Sequence, residues 1–452
     1  MMYLKLFLFT IFNCFYVEVY SSYSTTTEFI GNEINHAHIA GASVIVFDRS
    51  NILYQKSFGF ESIENKKLIS DQSIFLLASI SKTFIAIAAM QLVEQNKLNL
   101  DSDVNIYLST VNLSKLHHPL YPNDIITMKH LLTHTASITI DTRTQFSLIS
   151  PYDNYTKTTI RQLYSNYLIP GGSLYSKNNW LNSTVGTEYH YSNMGTTVAA
   201  LIIEIITSIS YDNYIRKNIL EPLDIQDASY ALSGFSDEQK IHLVQPYAYN
   251  VTKNEAIGLT TLFNIDFDGF EDIVDDNGTK WLHISLFGYL DWPSGLLRMS
   301  ALSLVKYLQM FMNNGTSLNK VKILNSQSVA LIRQVHFSIS PPFMSSGLLW
   351  SYENYTSQSQ NHIVFGHHGA VVGTRTAMFY DPLTNIGVIL LSNADTVFNS
   401  YQTKIVEQTF NNIITHLFDY YNKHNHSEAI QSYPFIVGLY LISFFLLEAI
   451  AF

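Results

Sequence analysis

The stretch Phe75-Leu76-Leu77-Ala78-Ser79-Ile80-Ser81-Lys82-Thr83-Phe84, continued by Ile85-Ala86-Ile87-Ala88-Ala89-Met90-Gln91-Leu92-Val93-Glu94, decides how the rest of the chain is read. Its alanines and long apolar residues give good helix propensity. Between Phe84 and Met90 no face is polar, the pattern of a helix buried on all sides. The spacing therefore predicts a core helix whose first turn holds Ser79. Lys82, three residues on, lies one turn along the same face, within reach of the Ser79 hydroxyl. Packed against apolar surface, the Lys82 ammonium is desolvated, which lowers its pKa toward neutrality and lets the neutral amine take a serine proton. Unpaired N–H groups and the positive dipole end at the helix N-terminus suit the oxyanion that forms when Ser79 attacks a carbonyl.

Ser-x-x-Lys alone is a weak signal. It recurs at Ser303/Lys306 and Ser317/Lys320. Ser303 reads as an N-terminal position of an exposed helix running to Met312, and Ser317 follows the loop Asn313-Asn314-Gly315. Only Ser79 opens a fully apolar helix.

With its flanking residues, the Ser79 segment resembles the active-site segment of the serine β-lactamase-related family. That family includes class C β-lactamases, low-molecular-weight penicillin-binding proteins, related esterases and D-amino-acid peptidases, and animal β-lactamase-like proteins. Further segments follow in the family's order. Leu131-Leu132-Thr133-His134-Thr135 resembles its Leu-Leu-x-His-Thr helix ending, with Ser137 where glycine is usual; His134 reads as a structural hydrogen-bonder rather than a catalytic group. Tyr-x-Asn is frequent in this chain. Only Tyr191-Ser192-Asn193 follows Val185-Gly186-Thr187-Glu188-Tyr189 and enters an apolar helix at Val198, resembling Pro-Gly-x-x-aromatic-x-Tyr-Ser-Asn with Val185 in place of proline. Trp292-Pro293-Ser294-Gly295-Leu296 resembles the Pro-x-Gly-Gly-Leu turn with one glycine replaced by Leu296. His367-His368-Gly369-Ala370 occupies the place of the Lys-Thr-Gly strand.

The resemblance implies roles residue by residue. Ser79 is the nucleophile and Lys82 its base. Tyr191, with its phenolate stabilised by Lys82, shuttles the proton to the leaving group. Asn193 donates to the substrate amide or braces Lys82. His367 binds a substrate carboxylate or tunes Tyr191, Gly369 lets the backbone approach the substrate, and the Ala370 N–H joins the Ser79 N–H as an oxyanion hole. No metal-ligand spacing is present, so neither metal nor cofactor is expected.

At 452 residues and 51.4 kDa the chain can bury one large core or two domains. Its net charge of −10 and the lack of a basic stripe exclude nucleic acid as an expected partner. Met1 to Val17 has the basic start and short apolar run of a signal peptide, with cleavage near Ser21 or Ser22. The single cysteine, Cys14, lies within it, so no disulfide, zinc thiolate or cysteine nucleophile is expected after processing. Asn-x-Ser/Thr sequons at Asn112, Asn154, Asn182, Asn250, Asn277, Asn314, Asn354 and Asn425 fit a glycosylated extracellular chain. After a polar spacer, the apolar run Pro434 to Phe452 reads as a membrane helix or, the reading its apolar end suits, as a tail exchanged for a glycolipid anchor at Asn425 or Ser427; Glu448 within it counts against both.

The expected architecture is α+β. A short helix over 25–38 precedes a hairpin, Ala40–Asp48 and Ile52–Phe60. Strands at 348–352, 362–369, 375–380 and 386–393 follow much later, the last two joined by a turn at Asp381-Pro382-Leu383-Thr384-Asn385. These N- and C-terminal strands form one antiparallel sheet, with a mainly helical region inserted at about 98–346 and a closing helix over 403–418. Residues 247–286 read as an irregular insertion. The domain spans 27–420, flanked by a signal peptide at 1–22 and a spacer and tail at 423–452. The implied function is a serine hydrolase working through an acyl-enzyme on a small-molecule or peptide substrate (ester, amide or peptide), extracellular and either secreted or held at the outer cell surface by membrane attachment through its tail. The alternative is a catalytically silent relative kept for binding or assembly.

Overall fold

A computed structural model describes residues 25–263, 269–338, 345–358 and 360–422. The expected signal peptide, the tail and the Asn425 sequon lie outside the described residues.

Gly41–Phe47 is a strand buried at every position. Sheet neighbours and both sheet faces surround it, which is why it reads as an unbroken apolar run rather than an alternating one. It pairs antiparallel with Ile52–Ser62 on one side and Ile386–Ser392 on the other, Ile45 lying opposite Gln55 and Ile389. The Asp48 carboxylate closes the hairpin between the first two strands by accepting the N–H groups of Ser50 at 2.6 Å and Asn51 at 2.7 Å. Outward from Ile386–Ser392 run Thr374–Asp381, Asn361–Val371 and Ser351–Thr356, within one nine-stranded sheet.

Period-2 alternation then divides the core. Ile45, Met378, Tyr380, Ile389 and Leu391 face the inserted helical region. Val44, Val46, Ala377, Phe379, Val388 and Leu390 face a second layer formed by the helices at 25–36 and 400–422, through Ile30, Ile34, Phe410 and Ile414. The chain is thus α+β, with strands from the N- and C-terminal parts of the described residues in one sheet.

The helix expected after Ser79 is Lys82–Glu94, and Phe84 to Met90 are all buried. It packs against a second apolar helix, Asn193–Thr207. Among the described residues no single helix is long and apolar enough to cross a membrane.

Three expectations need correction. Residues 247–286 are not irregular: Tyr247–Tyr249, Phe270–Val274 and Lys280–Ile284 form a three-stranded sheet beside the helix Lys253–Phe263. Strands this short carry too few alternations to show a period, although Tyr247 and Trp281 anchor them against Ala40 and Ile63. The helix Ala301–Met312 is buried rather than exposed, because its apolar face packs on the sheet; Ser303 donates to the Asp227 carboxylate and Lys306 bonds Asp224, so this Ser-x-x-Lys match is structural. The strand expected from Leu348 starts instead at Ser351, because Leu349 takes a left-handed φ of 54° and donates its N–H to the Leu132 carbonyl at 2.8 Å.

Candidate active site

Ser79 lies in a tight 3-10 turn, Ala78–Ser81, that leads into the helix Lys82–Glu94. It therefore precedes the α-helical first turn in which the sequence placed it. Both sides of the turn are clamped. The Leu77 N–H donates to the Leu297 carbonyl at 2.9 Å. Ser81 Oγ donates to the Ala78 carbonyl at 2.7 Å and accepts the Leu297 N–H at 3.1 Å, and Thr376 Oγ1 donates to the Leu77 carbonyl at 2.8 Å. These bonds hold Ala78 at a φ of 49°, a left-handed conformation that costs an L-residue about 1–2 kcal/mol. Strain of this kind is kept where surrounding contacts over-determine it.

Lys82 is fully buried. Its Nζ donates to Ser79 Oγ at 3.0 Å and to the Ser294 carbonyl at 2.7 Å. Burial lowers its pKa to about 7, with Asp291 pulling the other way. The Tyr191 hydroxyl donates to the same Ser79 Oγ at 2.7 Å, and Lys82 Nζ stands 4.9 Å from the Tyr191 ring centroid. Although 40% of Tyr191 is exposed, the protein packed around its hydroxyl pushes its pKa up, and the bond to Ser79 only partly offsets this. The raised pKa favours a neutral phenol over the expected phenolate.

His134 holds the Tyr191 loop in place. Its Nδ1 accepts the Ser192 N–H at 3.1 Å and its carbonyl accepts the His190 N–H at 2.8 Å. Burial, with Lys82 and His367 nearby, holds its pKa well below the ordinary value, so it accepts as a neutral ring. Two departures from the family pattern have local explanations. Val185 donates its N–H to Asp124 at 3.0 Å, which proline could not do. Ser137 adopts a φ of 57°, the reason glycine suits that position elsewhere.

Asn193 opens the helix Asn193–Thr207, which Ser192 caps by accepting the Gly195 N–H at 2.9 Å. Its Nδ2 donates to Gln145 Oε1 at 3.0 Å. No bond joins it to Lys82, so the bracing role is corrected: Lys82 is held by the Ser294 carbonyl.

His367, Gly369 and Ala370 lie on the strand Asn361–Val371. His367 Nδ1 donates to the His368 carbonyl, which leaves Nε2 as an acceptor. Burial and the neighbouring Lys82 lower its pKa to about 4. A neutral acceptor does not attract a carboxylate, so that role is also corrected. Gly369 makes its close approach to protein rather than to open cavity: a Cβ there would meet Thr376 Oγ1 at 2.2 Å and the Leu77 carbonyl at 2.3 Å. Ser79, Tyr191, His367 and Ala370 line one cavity of about 300 Å³. Glu353 and Arg375 share its wall; they lie in strands whose sequence pattern marks nothing beyond a sheet. Gln145 and Asp291 were likewise not singled out from sequence.

The profile of the Beta-lactamase family matches residues 27–407. The chain belongs to the β-lactamase family, a group of serine hydrolases related to the penicillin-binding proteins. Protein flp of Staphylococcus aureus strain MRSA252 is 24% identical over 387 residues, covering 86% of this chain and 65% of its own length, so the chain spans less than two thirds of that relative. Among solved structures, the D-amino acid amidase of Ochrobactrum anthropi SV3 has a TM-score of 0.64 at 18% identity, over 87% of this chain and 99% of that one. A class C β-lactamase in complex with cefoxitin has a TM-score of 0.63 at 17% identity, over 88% and 99%. These likenesses establish a shared fold.

Proposed function

We propose that this protein is a serine hydrolase that works through an acyl-enzyme, with Ser79 as nucleophile, Lys82 as base and Tyr191 as acid. The observation that carries the reading is the double contact on one oxygen: Ser79 Oγ is bonded by Lys82 Nζ at 3.0 Å and by the Tyr191 hydroxyl at 2.7 Å. With a pKa of about 7, Lys82 is partly neutral at physiological pH and takes the hydroxyl proton as Ser79 attacks. The Ser79 and Ala370 N–H groups receive the oxyanion. Tyr191 hands its proton to the leaving group, Lys82 replenishes it, and water then cleaves the ester to release the acid. His367 Nε2 accepts an N–H from the substrate or orients Tyr191. The substrate class is a carbonyl compound small enough for the cavity: an ester, an amide or a short peptide. A fluorophosphonate probe tests the assignment, since it should label the wild type and not Ser79→Ala; labelling of both at equal rate would refute it.

The same proposal places the enzyme outside the cell. The asparagines of the seven described sequons, Asn112, Asn154, Asn182, Asn250, Asn277, Asn314 and Asn354, are all exposed, as glycosylation requires. In a eukaryotic secretory host, peptide N-glycosidase should lower the apparent mass, and a phosphatidylinositol-specific phospholipase should release the protein from the cell surface. An unchanged mass counts against secretion, and retention after the lipase counts against the glycolipid anchor.

A further inference from the structure

Asp291 is fully buried, next to a catalytic-type lysine, and is absent from every motif discussed above. Such a carboxylate is costly unless something needs it. One oxygen, Oδ2, accepts Gln145 Nε2 at 3.1 Å, while Oδ1 has no hydrogen-bond partner. Gln145 in turn accepts the Asn193 amide at 3.0 Å through its Oε1, so one line of bonds runs from Asp291 to the first residue of the helix behind Tyr191. On the backbone side, the Asp291 carbonyl accepts the Ser294 N–H at 3.0 Å, which fixes the turn whose Ser294 carbonyl holds Lys82 Nζ at 2.7 Å.

We propose that Asp291 is a positioning residue that joins the two walls of the site: its side chain fixes Asn193 through Gln145, and its backbone fixes the turn whose Ser294 carbonyl holds Lys82. The inference rests on the acyl-transfer reading of Ser79 and Lys82. Lys82 is faced by Ser79, Tyr191, His134, His367 and Asp291, and of these Asp291 is the one carboxyl group. Asp291 itself is faced by Gln145, Lys82, Tyr167, Tyr191 and Tyr289. The tyrosines are neutral, so Lys82 is the one cation among the groups that face it. Burial raises the Asp291 pKa while Lys82 lowers it. The two groups therefore titrate as a pair. In its ionised form Asp291 raises the Lys82 pKa against the larger effect of burial.

The test is the pH dependence of the Ser79 labelling rate with a neutral fluorophosphonate, in wild type, Asp291→Asn and Gln145→Met. Asp291→Asn keeps the shape and the acceptor for Gln145 but removes the ionisable carboxyl. Because that carboxyl raises the Lys82 pKa, the labelling midpoint should fall, so that labelling at low pH becomes faster than in wild type. Structural damage does not produce such a gain. Gln145→Met strips the carboxylate of its donor and frees Asn193, so the midpoint should fall and the limiting rate should fall with it. Midpoints equal to wild type in whichever of the two variants folds, judged by circular dichroism, would overturn the proposal. Absence of labelling in the wild type would instead overturn the acyl-transfer reading on which it rests.

Discussion

Gly369 and Leu77 touch backbone to backbone: a Cβ on Gly369 would lie 2.3 Å from the Leu77 carbonyl oxygen. The strand carrying His367 and Ala370 is thereby pressed onto the turn carrying Ser79. Gly369→Ala must push strand and turn apart, because the nearest atoms are backbone and a packed threonine rather than a flexible chain end. We expect kcat/KM to fall about 100-fold, the scale of a misplacement near 1 Å, with stability lower by about 1–3 kcal/mol. Ester turnover and thermal melts measure both, and an unchanged kcat/KM would separate this strand from the chemistry.

The pH profile of kcat/KM for a neutral ester should rise to a plateau with a midpoint near 7, the Lys82 value. The sign follows from the proton: below that pH the ammonium has no lone pair with which to accept the Ser79 hydrogen. His367 is neutral down to about pH 4 and does not set this limb. A midpoint near 4 would transfer the base role from Lys82 to His367.

Lys82→Met should separate stability from activity. The folded state holds the Lys82 proton less tightly than the unfolded chain, with a pKa of about 7 against an ordinary 10.5. Between those values the unfolded chain binds more protons, so stability rises with pH; below 7 the cost of the buried ammonium is fully present. The substitution should therefore raise Tm more at pH 6 than at pH 10, while acylation falls about 10²–10⁴-fold. Equal effects on Tm at the two pH values would mean that Lys82 is not desolvated as described.

Tyr191→Phe should discriminate by leaving group. A phenol that supplies a proton matters little for an activated aryl ester and much for an alkyl amide, whose departing nitrogen must be protonated. We expect amide hydrolysis to lose about 10²–10⁴-fold and aryl ester hydrolysis far less. Equal losses on both substrates would assign Tyr191 to positioning Ser79.

What the sequence made legible follows from range. Ser79 stands three residues before Lys82, in the turn that leads into an apolar helix, so the spacing alone brought them together, and Tyr191 was separated from the chain's other tyrosines by the apolar helix that follows it. The central sheet strands carried enough apolar residues to be seen. Asp291 and Gln145 were illegible for a different reason: they meet each other across 146 residues, Gln145 reaches Asn193 across 48, and each stands alone in a stretch without a period. His367 was placed correctly in its strand, but its charge state depends on burial and on Lys82, which no local pattern carries. The 3-10 turn at Ser79 was missed because its geometry is imposed by Leu297 and Thr376, both distant in the chain.

The most direct measurement of the central claim is acid-quenched peptide mapping after brief exposure to an activated aryl ester. The account predicts an acyl group on the peptide carrying Ser79, formed at the rate of the first product burst and absent from Ser79→Ala. Turnover of the ester with no acyl group on Ser79, or with one on another residue, would contradict it.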